Sequence, residues 1–350
     1  MKKVVLALSG GVDSAIAAHL LQTQGFQVHG LNLITWGEDD QRANVQEIGD
    51  NLHFSVDFLD IRQVFREQVI QPFINAYIDG LTPSPCVFCN RQIKWNAILQ
   101  KADQIGAEYV ATGHYARLKK AGDGLSQIWK AADSAKDQSY MLSFLTQNML
   151  NRTILPLGEY TKPQIRKIAA DLNLAVSDRP DSQDLCFLAC TDYRDFLQQH
   201  AEHPPLPGPI YHIDGRLIGQ HQGLAFYTIG QRKGLPSATE ALYVIEKRKA
   251  DNSLVVGFLK DLGATTFLVN QVNWISGQSP VEPARVDVKI RYKALPVEAT
   301  IEPRGEAGVL VTASKPLRDI TPGQIAAFYQ GEQLLGGGVI VESTSDLAEQ

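Results

Sequence analysis

The chain of 350 residues has only four cysteines, which argues against a structural disulfide framework. No apolar run approaches the length of a membrane span, and the Met-Lys-Lys start leads into a strand rather than a secretory signal, so no membrane association and a cytoplasmic location are expected. Charge of neither sign dominates: the formal net charge of −5 gives no global signal for nucleic acid, although local basic stretches such as Lys247-Arg248-Lys249 can still meet phosphates. Internal repeats and low-complexity tracts are absent. The glycine-rich turn near the start also lacks the Lys-Ser/Thr pair of a Walker A loop, so a grip on a γ-phosphate is missing.

What stands in that turn is Ser9-Gly10-Gly11-Val12-Asp13-Ser14, directly behind the apolar run Val4–Leu8. Strand, glycine turn and helix start together build a cradle for pyrophosphate. Two glycines let the backbone turn sharply and approach an anion, while Ser9, Ser14 and the first N–H groups of the helix donate to it. The plainer reading is a strand-to-helix turn capped by Asp13 or Ser14.

The first half alternates strand-like and helix-like segments, the pattern of a parallel sheet with helices on both faces. Expected strands are Lys3–Leu8, Val28–Ile34, Phe54–Phe58 and Tyr109–Thr112; expected helices are Ala15–Gln24, Gln41–Leu52, Val64–Tyr77 and Ile93–Ile105. Ligands of such sheets sit at the carboxyl ends of the strands, where Ser9–Ser14, the segment after Ile34 and Gly113-His114 all fall. Four prolines and a glycine in His203–Pro209 rule out regular structure there and suggest a linker. Beyond it hairpins are expected at Ile210–Ile213 with Arg216–Gly219 and at Ala241–Glu246 with Leu254–Phe258. Longer alternating strands follow, through Val286, Val288, Ile290 and Tyr292, then Val309–Val311 and Val339–Val341. The expected fold class is therefore α/β: a parallel-sheet N-terminal domain over 1–200, a small β-rich domain over 205–268, and a C-terminal β-barrel over 269–345.

Cys86 and Cys89 lie in Thr82-Pro-Ser-Pro-Cys-Val-Phe-Cys-Asn-Arg-Gln-Ile-Lys-Trp; Cys186 and Cys190 follow Asp181-Ser-Gln-Asp-Leu. Three readings compete: a tetrahedral zinc site, buried small hydrophobes, or catalysis by sulfur. For the last, Cys89 is expected at a helix N-terminus near Arg91 and Lys94, a setting that lowers a thiol pKa. Cys186 is expected in an exposed polar loop. Cys190 is taken as a buried small residue.

Those segments, with Ala111-Thr-Gly-His-Tyr-Ala, Lys136-Asp-Gln-Ser-Tyr, Phe226-Tyr-Thr-Ile-Gly-Gln-Arg-Lys-Gly-Leu, Ile290-Arg-Tyr-Lys and Pro322-Gly-Gln324, closely resemble the bacterial tRNA-specific 2-thiouridylases. This is the MnmA (TrmU) family of N-type PP-loop ATP pyrophosphatases, and the resemblance spans essentially the whole chain. It implies a tRNA-uridine 2-sulfurtransferase that adenylates C2 of the wobble uridine, position 34, and replaces its oxygen with sulfur to give 2-thiouridine. It assigns the ATP cradle to Ala7, Leu8, Ser9, Gly10, Gly11, Val12, Asp13 and Ser14, adenine recognition to Leu33, and a further nucleotide contact to Gly113. Asp13 would also act in catalysis, sharing in the organisation of Mg²⁺. Cys186 would carry the persulfide and Cys89 would be the nucleophile that forms a disulfide with it. Contacts to tRNA would come from Ser84, Pro85, Cys86, His114, Lys136, Asp137, Gln138, Arg291, Tyr292 and Gln324. The implied partners are tRNA for Glu, Gln and Lys and a cysteine desulfurase or sulfur-relay protein, with a monomer as the default state.

The sequence departs from the family where many relatives have Asn-Pro-Asp: here stand Ser84-Pro85-Cys86, with a thiol for the acid. Cys86, Cys89 and Cys186 can thus be read as three ligands of a [4Fe–4S] cluster, an alternative route to the same product. Other rivals are a different PP-loop adenylating enzyme and a zinc-stabilised RNA-binding protein.

Overall fold

A computed structural model of the chain describes residues 1–37, 41–174, 185–188 and 191–343. Cys190 and the run 181–184 lie outside them. The N-terminal part is built on a five-stranded parallel sheet in the order Val56–Asp60, Gln27–Ile34, Lys3–Ala7, Tyr109–Ala111, Thr153–Ile154. Alternation along Lys3–Ala7 sends Val4 and Leu6 to one face, under Ile16, Leu20 and Leu21, and Val5 to the other, under Trp95, Ile98 and Val110. Each such fully buried aliphatic side chain contributes about 1.5–3 kcal/mol, which is why the sheet carries helices on both faces. The chain moves outward in one direction from Lys3–Ala7 to Gln27–Ile34 and in the other to Tyr109–Ala111. The carboxyl end of Lys3–Ala7 is thus a topological switch point, where a crevice opens.

The helix Val12–Thr23 begins at Gly11. Two longer helical runs, 62–78 and 85–105, each contain a π-helical turn, Arg66–Ile70 and Asn90–Lys94. The second begins at Pro85, eight residues before the expected Ile93, because proline fixes the first-turn φ where no N–H is needed. It stops at Gly106, which takes φ +65°.

The central sheet has the order Tyr243–Arg248, Ser253–Gly257, Gly208–His212, Leu217–His221. The expected irregular segment His203–Pro209 is shorter than anticipated: Gly208 and Pro209 already pair with His221 and Gln220. Proline is tolerated at the start of a strand, where the ladder does not yet require its N–H. This sheet shares one apolar core with the helical run 62–78, Phe187 and Phe196.

The C-terminal part is a closed six-stranded antiparallel barrel. Its spatial order is Ala264–Trp274, Val309–Leu317, Val297–Pro303, Ala284–Lys289, Ile325–Gln330, Gln333–Ser343, and the last strand pairs back onto the first. The fourth of these ends at Lys289; Ile290 still buries beside Val286 and Val288, but Tyr292 is half-buried outside that core and Arg291 bonds other segments. A hairpin of the N-terminal part, Arg117–Lys120 with Ser126–Trp129, joins the barrel through Gln333–Ser343.

Candidate active site

The turn after Lys3–Ala7 leads directly from strand to helix, as expected. Gly10 takes φ +80°, a conformation open to glycine, and the extended Gly11 starts the helix. Ser14 donates its hydroxyl hydrogen bond to the Gly11 carbonyl at 2.9 Å, while its oxygen accepts from the Ser9 N–H at 3.2 Å. Ser9 is exposed at the rim, and Ala7, Leu8 and Leu33 lie at or just beyond the ends of the two neighbouring strands. Asn32 ties those ends together by donating to the Leu8 carbonyl at 2.8 Å. Gly113 sits against the same helix start: a Cβ there would lie 3.2 Å from the Asp13 carbonyl carbon and from the Ser14 nitrogen.

Asp13 accepts from the Tyr115 hydroxyl at 2.7 Å and from Lys162 Nζ at 2.7 and 2.8 Å. Lys162, buried at 6% exposure, opens the helix Lys162–Asp171 behind a Thr161–Gln164 capping box. The sequence reading missed this lysine, although Thr-Lys-Pro-Gln is itself a helix-start signal.

One of the thiols, Cys186, meets the Thr35 hydroxyl, just beyond the end of Gln27–Ile34. Phe187 packs at ring distances of 5.0 Å from Phe73 and 5.3 Å from Phe196, and with Leu188 it anchors the turn on which Cys186 is exposed. Although the residue is exposed, its thiol is partly desolvated. That desolvation raises the Cys186 thiol, while Lys94, the N–H groups of Cys186 and Phe187 and the Thr35 hydroxyl pull it down. Burial pushes Cys86 up to about 12, helped by the charges of Cys186 and Cys89 and opposed by Lys94. Cys89 is pushed up to about 11, again by burial first, with Lys94 lowering it and Cys186 raising it. The expectation of a lowered Cys89 is therefore corrected: the helix starts four residues earlier, at Pro85, so Cys89 lies in its second turn, away from the first N–H groups, and burial outweighs Lys94. All three described thiols are free and electrostatically coupled to one another. Among the described residues no three His, Cys, Asp or Glu side chains stand together as metal ligands.

Ser84 precedes Pro85, which is buried, and Cys86 is half-buried. His114 accepts or donates at 2.8 Å to the Thr112 hydroxyl, lies by the Trp95 ring, and is held neutral well below its ordinary pKa by burial and by Lys94. Asp137 is buried, accepting from the N–H groups of Ala131 and Ser139, and Gln138 accepts from the Tyr115 N–H at 2.9 Å; these two side chains are engaged within the protein. Lys136 and Tyr292 are half-buried, Tyr292 beneath Lys289. Arg291 donates to the Ile229 carbonyl and Thr321 hydroxyl, and Gln324 to the Thr82 carbonyl at 2.8 Å. Arg291 and Gln324 thus join barrel, central sheet and the segment leading to Cys86.

Three family models match the chain in order: the tRNA methyl transferase HUP domain over residues 2–190, the tRNA methyl transferase PRC-barrel domain over 194–258, and the aminomethyltransferase β-barrel domain over 264–340. Among curated relatives, the tRNA-specific 2-thiouridylase MnmA of Chloroflexus aggregans is 41% identical, covering 97% of this chain and 98% of its own. That of Pelotomaculum thermopropionicum is 41% identical over 98% of each chain, and that of Clostridioides difficile 38% identical over 98% of this chain and 99% of its own.

Proposed function

The chain belongs to the tRNA-specific 2-thiouridylase MnmA family, and from that membership we propose that it catalyses ATP-dependent 2-thiolation of the wobble uridine of tRNA. The observation that carries this reading is a glycine turn into a helix at the carboxyl end of the central strand, in a fold whose free thiols Cys86, Cys89 and Cys186 are electrostatically coupled to one another. As a PP-loop enzyme it binds ATP, and Mg²⁺ enters as the MgATP substrate.

In the proposed sequence the uridine C2 oxygen attacks the α-phosphorus and pyrophosphate leaves into the cradle around Ser9–Ser14. A persulfide on Cys186, loaded by a cysteine desulfurase or relay protein, attacks C2 through its terminal sulfur, and AMP leaves. The Cys89 thiolate then attacks the Cys186 sulfur. The S–S bond of the adduct breaks, its electrons go to the sulfur on C2, and a Cys89–Cys186 disulfide forms, to be reset by a dithiol reductant. Support for this division of labour is that Cys186 is the exposed residue of the pair and Cys89 the half-buried one. Asp13 serves by holding Lys162 and Tyr115 at the cradle. Asp137, Gln138, Arg291 and Gln324 serve tRNA binding by shaping the surface on which His114, Lys136 and Tyr292 stand. The substrate base must leave its loop to reach this crevice. A cytoplasmic location is in keeping with the lack, among the described residues, of a helix long and apolar enough to cross a membrane.

The test is reconstitution from purified protein, MgATP, a persulfide-loaded desulfurase and unmodified tRNA for Glu, with products read by mass spectrometry. One AMP per 2-thiouridine at position 34 is expected. AMP formation without thiouridine would overturn the assignment of substrate.

A further inference from the structure

Where the barrel meets the N-terminal part, lysines stand on a floor of tyrosine rings. Lys289 ends the strand Ala284–Lys289 and holds its ammonium 5.6 Å from the centre of the Tyr292 ring and 5.9 Å from that of Tyr140. Those two rings are themselves 6.2 Å apart. Lys130, just beyond Ser126–Trp129, lies 4.7 Å over the Tyr329 ring and donates to the Gly331 carbonyl at 2.9 Å. Ser139 ties the floor together, with its hydroxyl 3.1 Å from that of Tyr329 and donating to Asp137 at 2.9 Å. Tyr140 and Tyr329 are buried, and Tyr140 donates to the Ile325 carbonyl at 2.9 Å, so these rings are fixed from beneath.

Lys289 is half-buried, and among the described residues no carboxylate pairs with it and no hydrogen bond engages its ammonium. Asp137, the acid whose charge reaches it, is already engaged by the N–H groups of Ala131 and Ser139 and by the Ser139 hydroxyl. Burial lowers the Lys289 pKa, Asp137 opposes that, and Lys130 lowers it again, so two cations press on one another here. An anion arriving at such a seat relieves both costs. A fixed aromatic floor carrying a cation suits an RNA backbone, whose phosphate meets the ammonium while the ring stacks against a base.

We propose that Lys289, standing on Tyr292 and Tyr140, is a phosphate contact for the tRNA substrate. The proposal rests on the thiolation reading for the identity of the RNA. The ammonium fixes the position of the strand without reading its sequence, so its loss weakens every tRNA alike.

The experiment measures the dissociation constants of unmodified tRNA for Glu and for Lys over a series of salt concentrations, with wild type, Lys289→Met and Lys289→Arg. Methionine keeps an unbranched stem on the tyrosines and removes the charge. Lys289→Met is expected to reduce the slope of log Kd against log salt by about 0.7–0.9 and to weaken both tRNAs about fivefold at ~0.1 M salt. Lys289→Arg is expected to keep the wild-type slope. A second readout needs no variant: acetylation of Lys289 in wild type, followed by peptide mass spectrometry, should be slowed by tRNA and not by MgATP. That footprint decides the matter if Lys289→Met lowers the melting temperature. Wild-type protein that binds tRNA while Lys289 stays equally reactive, or a Lys289→Met slope equal to wild type, would overturn this proposal alone. Wild-type protein that binds no tRNA would overturn the thiolation reading together with it.

Discussion

The two adjacent glycines of the cradle have different physical reasons, and substitution separates them. Gly10 has φ +80°, and an added Cβ would lie 3.1 Å from Val45 Cγ2 and 3.2 Å from Gln41 Oε1. The left-handed conformation alone costs alanine about 1–2 kcal/mol. For a domain of this size that lowers the melting temperature by roughly 2–8 °C, at about 2–4 °C per kcal/mol. Gly11 has φ −93°, and its added Cβ would meet only Ser9 Oγ, at an ordinary 3.6 Å. Gly11→Ala should therefore leave the ligand-free melting temperature within about 1–2 °C, the small loss of a good cap offsetting the gain from a stiffer unfolded chain. Its Cβ would stand where phosphate must approach the backbone, so the stabilisation given by MgATP in wild type should vanish in this variant. Differential scanning calorimetry of the separate variants, with and without MgATP, reads all of this. Equal destabilisation by both substitutions, or a Gly11→Ala protein that MgATP stabilises as it does wild type, would refute the reasoning.

Asp13→Ala removes both oxygens on which the buried Lys162 ammonium rests. With Asp13 a third exposed, the loss should fall at the low end of about 3–5 kcal/mol, read as a fall in melting temperature that Asp13→Asn reproduces in part. Gln324→Leu deletes the donor to the Thr82 and Pro83 carbonyls, so the segment before Pro85 should loosen and Cys86 should alkylate faster, measured by peptide mass spectrometry. Lys247, donating to the Tyr227 carbonyl, is lowered by burial to about 7. Between pH 7 and its unfolded value near 10.5 the unfolded chain binds the proton that the fold rejects, so stability should rise with pH across that window, a slope that Lys247→Met lacks in urea melts.

The parallel sheet was legible because each strand is a short apolar run followed by an amphipathic helix, and the cradle because Gly10-Gly11 interrupts that pattern at a strand end. The start of the helix carrying Cys86 and Cys89 was not, since proline generally ends a helix and here Pro85 occupies the first helical turn. The hairpin Arg117–Lys120 with Ser126–Trp129 escaped notice because its strands are four residues long and owe their pairing to the distant Gln333–Ser343. Nor does composition locate the charge relations of the site. Lys162 lies 149 positions from Asp13, and the charge of Lys94 acts on Cys186 from a distant segment.

The most direct test of the sulfur route is the Cys89→Ser protein, loaded with persulfide on Cys186 and given MgATP and unmodified tRNA. Without the resolving thiol, a covalent Cys186–S–S–tRNA adduct should accumulate with one AMP released, and a dithiol should discharge it as 2-thiouridine. Free 2-thiouridine appearing at the wild-type rate, with no adduct at any time, would contradict the account.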